Sequence, residues 1–225
     1  MHTIESFLAI DLFDSLQSQN IDGSGSGSLP LFLLNIQTHG LPTFSNQYLS
    51  VIESSSTDLE PSQLREVDGK KLGCFRIFSI DGGHTETITL SDLVLVQKVL
   101  CDGGVIIIDD WTNDEWFGVR SGIFRHFNLQ QPQSNSQTSP LSPLAPFLAI
   151  NNKLYLTTPS YHDLYFTTLQ SSLLNGSITY LPLKTDLNGF PVMTRVEAIK
   201  PQWDLQKMWE GYLGGDGGEH WRWGE

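Results

Sequence analysis

The sequence predicts an α/β fold in which a mostly parallel sheet is covered by helices. Residues 75–80 and 105–108 are two apolar runs of strand length, and each is followed directly by aspartate. Runs that are apolar at consecutive positions are typical of strands buried on both faces, as in parallel sheets. Between them, residues 85–100 place apolar side chains at a spacing that suits a helix lying on a sheet. These observations predict a strand–helix–strand unit.

The acidic ends of these two strands are the first candidate site. Asp81 and His84 follow the first strand, and Asp109 and Asp110 follow the second. In open sheets of this kind, ligands bind beyond the carboxyl ends of the strands. We therefore expect the four side chains to gather at one ligand site.

Composition narrows the classes of partner. The chain of 225 residues has 25 acidic and 13 basic residues, a formal charge of −12 and no basic cluster, which argues against nucleic acid as a partner. It contains no apolar stretch of the ~20 residues that a bilayer span needs, and residues 1–5 lack the features of a signal peptide. We expect a cytoplasmic protein without a membrane partner. Cys74 and Cys101 lie next to predicted strands, which favours reduced, interior thiols.

The N-terminal part contains a strand and a glycine-containing loop. Residues 5–13 form a strand candidate that includes Asp11, and residues 20–28 contain glycine at alternating positions. A phosphate-binding loop would lie directly between a strand and a helix. Here a polar stretch separates the strand from the glycines, so we interpret residues 20–28 as a mobile loop near the ligand.

The next elements alternate between helix and strand. Helical patterns cover residues 29–38, 59–67 and 119–127, and a strand pattern covers residues 48–53. The hydroxyl-rich residues 54–58 either bind a ligand or cap the following helix, with Thr57 or Asp58 as the cap.

The C-terminal part predicts two hairpins, at Asn151-Asn152 and at Asn188-Gly189. We divide the chain into a domain at 1–170, with a flexible insertion at 131–143 rich in Gln, Ser and Pro, and a second unit at 171–225. The second unit comprises a C-terminal β-hairpin and a tail that holds four of the six tryptophans.

Residues 80–84 and 103–111 together resemble class I S-adenosylmethionine-dependent methyltransferases. The sequence looks most like the branch of metal-dependent sugar and macrolide O-methyltransferases, and the resemblance covers roughly residues 7–165. It implies a Rossmann-like sheet with S-adenosylmethionine as cofactor, Mg²⁺ as metal and a small-molecule hydroxyl as methyl acceptor. A homo-oligomer is compatible with this expectation.

The resemblance also implies roles for individual residues. Asp11 matches the acid that holds the cofactor ribose, and Ser55 and Ser56 fall where relatives bind adenine, although relatives commonly have aspartate at Ser55. Asp81, which also borders the cofactor, is a metal ligand together with Asp109 and Asp110. His84 is the catalytic base, with Asp81 beside it. Each assignment has an alternative. Asp11 could instead cap a strand end or a loop, and the three metal-site aspartates could form an acidic rim that binds no ion. His84 could be a residue that forms a hydrogen bond at the end of a strand.

One departure from the family concerns its first strand and glycine-rich loop, which precede the Asp11 strand and lie beside the Asp81 strand. Residues 1–6 leave no room for them. We therefore expect either an N-terminally truncated sheet or direct pairing of the Asp11 strand with the Asp81 strand. Two functions follow: an S-adenosylmethionine-dependent O-methyltransferase, or a non-catalytic methyltransferase-like interaction module or inactive fragment. A nucleotide-binding oxidoreductase ranks lower, because its dinucleotide loop is also absent.

Overall fold

Two groups of strands and the helices packed on them form the described part of the chain. The computed structural model describes residues 6–39, 48–130, 143–174 and 180–198. The strands are β1 (Phe7–Asp11), β2 (Leu49–Glu53), β3 (Glu66–Val67), β4 (Lys70–Lys71), β5 (Phe75–Ile80), β6 (Leu100–Ile108), β7 (Ala145–Ile150), β8 (Lys153–Thr157), β9 (Tyr180–Leu187) and β10 (Phe190–Ala198). The helices are α1 (Phe13–Leu16), α2 (Leu29–His39), α3 (Pro61–Arg65), α4 (Glu86–Gln97), α5 (Phe117–Gln130) and α6 (Pro159–Leu174).

The strand order confirms a mixed α/β fold. β1 and β2 form a parallel pair, and a six-stranded sheet has the order β5-β6-β8-β7-β10-β9. In that sheet, β5 runs parallel to β6 and β7 parallel to β10, whereas the other three pairings are antiparallel. β10 thus belongs to the same sheet as β5 and β6. The proposed boundary near residue 170 stays a prediction.

The sheet is interrupted between β1 and β5. Within the described residues, β1 pairs only with β2, and β5 pairs only with β6. Direct pairing of the Asp11 strand with the Asp81 strand, one of the two expected arrangements, is therefore wrong. The side chains of Phe7 on β1 and Ile77 on β5 are 48% and 66% exposed.

A shared apolar cluster holds the two groups of strands together. Leu64 of α3 and Leu95 of α4 are buried in this cluster, with Leu59 and Val99. Side chains of β1 and β5 both pack on it; they are Leu8, Ile10, Phe75 and Phe78. A larger cluster, which includes Leu93, Ile106 and Ile108, lies between α4, α5 and the six-stranded sheet.

Both predicted hairpin turns are confirmed. Asn151 and Asn152 join β7 to β8 with φ of 49° and 64°, and Asn188 and Gly189 join β9 to β10 with φ of 56° and 79°. Asparagine and glycine are the residues that tolerate positive φ at both central positions of a two-residue hairpin turn.

The expectation for the cysteines is wrong. Cys74 and Cys101 form a disulfide, and Cys74 is exposed. They are adjacent because Phe75 pairs with Leu100 in the β5–β6 register, which brings their Cα atoms within 4.9 Å. Disulfides persist mainly in oxidising compartments, and the cytoplasmic location stays a prediction.

Two further local expectations differ from the structure. α3 is capped by Glu60, whose side chain forms a capping box with Gln63, rather than by Thr57 or Asp58. α6 lacks a predicted counterpart; its buried His162 and Phe166 pack against the sheet, and His162 Nε2 lies 2.9 Å from the carbonyl oxygen of Pro191. Tertiary packing outweighs weak local propensity here.

Some predictions fall outside the described residues, namely most of the insertion at 131–143 and the whole tryptophan-rich tail. Among the helices that the structure describes, none combines the length and the apolar character that crossing a bilayer requires.

Candidate active site

A cleft of about 520 Å³ opens between the carboxyl ends of β1 and β5. β1 contributes Asp11 to its lining, the turn after β2 contributes Ser55 and Ser56, and the segment after β5 contributes Asp81 and His84. Most of the predicted site residues therefore lie around one cavity, at the end of the strands where ligands of such sheets bind.

The segment after β5 is held tightly against α4 and α5. Thr85 is the N-cap of α4, and its side chain accepts a hydrogen bond from the main-chain N–H of Ile88. A Cβ atom at Gly118, near the start of α5, would lie 2.8 Å from Thr85 Cα. Only glycine permits this approach, which places the start of α5 directly behind His84.

His84 is fixed by contacts on several sides. Its Nδ1 lies 3.1 Å from Asp22 Oδ2, and its Nε2 lies 2.9 Å from Asp110 Oδ2. The main-chain N–H of His84 also donates to Asp22 Oδ2, at 2.5 Å. The ring stacks on Trp116 with centroids 4.2 Å apart. The imidazole is thus an ordered group between two carboxylates.

Asp110 is held in an unusual backbone conformation by amide donors. Its φ is 58°, in the left-handed region that asparagine and aspartate tolerate best among residues with a side chain. Asn113 Nδ2 and Asn152 Nδ2 donate to its Oδ1 at 2.8 and 2.9 Å. Because Oδ1 is engaged, Oδ2 is the oxygen that faces His84.

Asp109 points to a different partner. Its carboxylate forms an ion pair with Lys153 at the start of β8, and it also accepts from the main-chain N–H of Asp110. Burial raises the pKa of Asp109, but the hydrogen bonds from Lys153 and Asp110 outweigh it and lower the pKa overall.

Asp81 is solvent-exposed, yet its pKa is raised by its surroundings. Burial, followed by the negative charges of Asp109 and Asp110, raises its pKa. One ligand atom each from Asp81, His84 and Asp110 lie within 4.8 Å of one another, a separation that a single metal ion could bridge. The structure thus brings together two of the three predicted metal ligands with the predicted base, and Asp109 lies beside them with Lys153.

The opposite end of the cleft carries the residues expected to bind the cofactor. Asp11 is exposed, and its Oδ1 accepts from the main-chain N–H of Phe13 at 2.8 Å. Ser55 shares a hydrogen bond with Thr57, with hydroxyl oxygens 2.7 Å apart. Ser56 donates to Asp92 on α4, a buried acid in the cleft wall.

Sequence reasoning missed four residues of this region: Asp22, Asp92, Trp116 and Lys153. Asp22 bonds to His84 across 62 positions of sequence, a contact that no local pattern announces. Asp92 could have been identified from the sequence. It is an isolated acid among the apolar residues on the buried face of the helix at residues 86–97.

Comparisons with known proteins show what this chain is similar to. Residues 6–111, just under half of the chain, match the family model of a methyltransferase domain. The chain is similar to the solved structure of CalS11, a TDP-rhamnose 3′-O-methyltransferase of calicheamicin biosynthesis, with 14% identity and a TM-score of 0.42 over 68% of this chain and 58% of that one.

It is also similar to MycE, a methyltransferase of mycinamycin biosynthesis solved with Mg, SAH and mycinamycin VI, with 14% identity and a TM-score of 0.41. That overlap covers 69% of this chain and 45% of that one, so the chain spans about half the length of these two structures. No curated protein matches the chain in sequence.

The matched segment contains β1 to β6, the cleft between β1 and β5, and the acids at the strand ends. This is the α/β arrangement that the resemblance implied. Residues 6–111 of the chain are therefore similar in sequence to a methyltransferase domain.

Proposed function

We propose that the protein transfers a methyl group from S-adenosylmethionine to a hydroxyl of a small molecule, with a divalent ion such as Mg²⁺ at the acceptor end of the site. The observation that carries this proposal is a single cleft with Asp11, Ser55 and Ser56 at one end and Asp81 and His84 at the other. Concave sites with a few convergent polar groups are the usual places for small ligands.

The cleft wall suits a polar cofactor. Asp92 is only 6% exposed, and its Oδ1 lacks a hydrogen-bond partner among the described residues. Buried acceptor atoms normally accept at least one hydrogen bond. Oδ1 of Asp92 could therefore accept a hydrogen bond from a ligand in the cleft. Asp11 adds a carboxylate that can accept from neighbouring hydroxyls, as a ribose would offer them.

The acceptor end suits a hard divalent ion. Carboxylate oxygens are the ligands that Mg²⁺ prefers, and Asp81 and Asp110 supply them within 4.8 Å of His84. The raised pKa of Asp81 has burial and two neighbouring acids as its causes, and a bound cation would offset that repulsion. The ion-paired Asp109 is a third carboxylate at the same strand end.

Each of these residues has a separate role in the proposed reaction. When bound, the ion lowers the pKa of a coordinated hydroxyl. Asp81 and Asp110 hold the acceptor end in place, and His84 receives the hydroxyl proton on Nε2, the ring nitrogen that lies beside Asp110. Trp116, stacked on His84, keeps the imidazole in one orientation and limits the access of water to it.

A non-catalytic interaction module is the second candidate. It is favoured by the interruption between β1 and β5, where both strands have only one paired neighbour among the described residues. Strand edges without neighbours are sites at which other polypeptides add a strand.

Isothermal titration calorimetry distinguishes the two candidates. The protein should bind S-adenosylhomocysteine, and Mg²⁺ should bind separately with an affinity that the double variant Asp109→Ala, Asp110→Ala abolishes. Glu115→Gln is the matched control, because Glu115 is an exposed acid close in sequence that lies away from the cleft. If S-adenosylhomocysteine gives no heat with or without Mg²⁺, the methyltransferase proposal fails and the interaction module takes its place.

A further inference from the structure

We propose that Asp22 is the positioning residue of His84. In this arrangement its carboxylate keeps the imidazole proton on Nδ1 and thereby presents Nε2 to the reacting group. The catalytic meaning of this role rests on the proposed function, whereas the tautomer itself can be measured without any substrate.

One oxygen of Asp22 controls both the backbone and the ring of His84. Oδ2 accepts from the main-chain N–H at 2.5 Å and faces Nδ1 at 3.1 Å. The two side chains are 7% and 12% exposed, so water competes little for these bonds. An ionised carboxylate can only accept, and Nδ1 must therefore be the protonated nitrogen in this contact.

The glycine-containing loop holds the Asp22 carboxylate in place. Ser24 donates to Oδ1 through its main-chain N–H at 2.9 Å and through its hydroxyl at 2.6 Å. Asn20 Nδ2 in turn donates to the carbonyl oxygen of Ser24 at 2.7 Å. Partial burial opposes the charged form, but the hydrogen bonds from Ser24 and His84 outweigh it and lower the pKa of Asp22.

This geometry gives the loop a different role from the one its glycines suggest. The functional side chain of the loop is the carboxylate of Asp22. It extends from the segment after β1 to His84 in the segment after β5. The loop thereby joins the cofactor end of the cleft to the acceptor end, since Ser24 and Gly25 line the cleft and Asp22 holds His84.

A second acceptor competes for the imidazole. Asp110 Oδ2 lies 2.9 Å from Nε2 and favours a proton on that nitrogen. Removing this acceptor isolates the effect of Asp22. Gly is the suitable replacement at position 110, because it tolerates the φ of 58° found there and neither accepts from Nε2 nor donates to it.

The test is nitrogen NMR of ¹⁵N-histidine-labelled protein at a pH where the imidazole is neutral. The two ring-nitrogen shifts report which nitrogen carries the proton, and His84→Gln assigns the signals. In Asp110→Gly, His84 should be mainly the Nδ1–H tautomer. Adding Asp22→Ala should move it towards the Nε2–H form that free histidine prefers, whereas adding Asp22→Asn, which retains an acceptor oxygen, should largely preserve Nδ1–H.

Asp14→Asn is the matched control, because Asp14 is an exposed acid on the neighbouring α1. An Nδ1–H population that is unchanged in a folded Asp110→Gly, Asp22→Ala variant would overturn the proposal, as would an Nε2–H tautomer in Asp110→Gly. If Asp22→Ala fails to fold, Asp22→Ser decides, because its hydroxyl is too short to reach Nδ1: loss of Nδ1–H in the folded Asp22→Ser variant supports the proposal, and its retention contradicts it. S-adenosylhomocysteine titration of the same samples separates the outcomes, since a protein that keeps the tautomer but binds no S-adenosylhomocysteine loses only the proposed function.

Discussion

At the scale of single residues, Asp92 has the least favourable surroundings among the described side chains, because it is buried and one of its carboxylate oxygens lacks a hydrogen bond. It is buried on α4, its Oδ1 has no hydrogen-bond partner among the described residues, and burial raises its pKa to about 6 against the opposing hydrogen bond from Ser56. A carboxylate in this position destabilises the folded state whenever it is ionised.

This position predicts a specific pH dependence of stability. Because the folded-state pKa is raised, the protonated carboxyl is fully favourable below about pH 4, and that contribution is lost as the pH rises through about 6. Asn at position 92 cannot ionise. Between pH 4 and pH 7, the unfolding free energy of Asp92→Asn should therefore rise by about 2 kcal/mol relative to that of the wild type.

Urea unfolding at a series of pH values measures this difference. The control is Asp14→Asn, at an exposed acid, which should follow the wild-type pH profile. If the unfolding free energies of the wild type and Asp92→Asn change with pH in the same way, the ionisation of buried Asp92 does not cause the pH dependence.

The candidate site could be predicted only in part at this scale. Asp81, His84 and Asp110 were identifiable because each follows an apolar strand, and parallel strands bring their ends together. The contact of Asp22 with His84 could not be predicted, because it joins two residues that are 62 positions apart in the sequence. The pairing of Asp109 with Lys153 likewise depends on the antiparallel placement of β8 beside β6.

At the scale of elements, α4 connects the site to the core. Its N-terminus begins at Thr85, directly after His84, and its buried face includes Leu93 and Val96. The position of His84 consequently depends on where this helix starts.

Loss of the helix cap should loosen that start. Thr85→Ala removes the side chain that accepts from Ile88 N–H and should lower the unfolding free energy by about 1 kcal/mol. Thermal or urea unfolding measures the change. Thr87→Ala, at an exposed position inside the same helix, should be neutral or slightly stabilising, and an equal loss in both variants would contradict a capping role.

Elements were predictable where short-range chemistry decides the structure. Asn151-Asn152 and Asn188-Gly189 each specify a turn through positive φ, and both hairpins form there. α6 was not predictable, because its stability comes from contacts such as Phe166 with Met193 across the sheet. The disulfide was missed for a related reason, since only the β5–β6 register makes Cys74 and Cys101 neighbours.

At the scale of the whole molecule, the described residues form two groups of strands on one helical layer. The parallel pair β1–β2 contacts the rest through the cluster around Leu64 and Leu95 rather than through a continuous sheet. Among the described residues, the interruption lies at the point where the order of motifs along the chain predicted a departure from the family. How the chain would close the sheet could not be read from the sequence, because strand pairing is a long-range property.

Amide hydrogen exchange should resolve the two groups. Within the part of the chain that the structure describes, β1 and β2 pair only with each other, whereas β6 lies between β5 and β8. We expect β1 amides to exchange at least about tenfold faster than β6 amides, since local opening follows the amount of packing. Equal protection of β1 and β6 would show that the two groups open as one unit.

The interruption beside β1 also has a thermodynamic consequence for the ligand. Asp11 and Ser55 lie on the β1–β2 unit, which we expect to open more easily, while Asp81 and His84 follow β5 of the six-stranded sheet. A ligand that contacts both halves would then bind only the closed population, and its apparent dissociation constant would be its intrinsic one divided by that fraction. Occupancy of the cleft would in turn slow exchange throughout β1 and β2, so that recognition and the local folding of this unit are one coupled equilibrium.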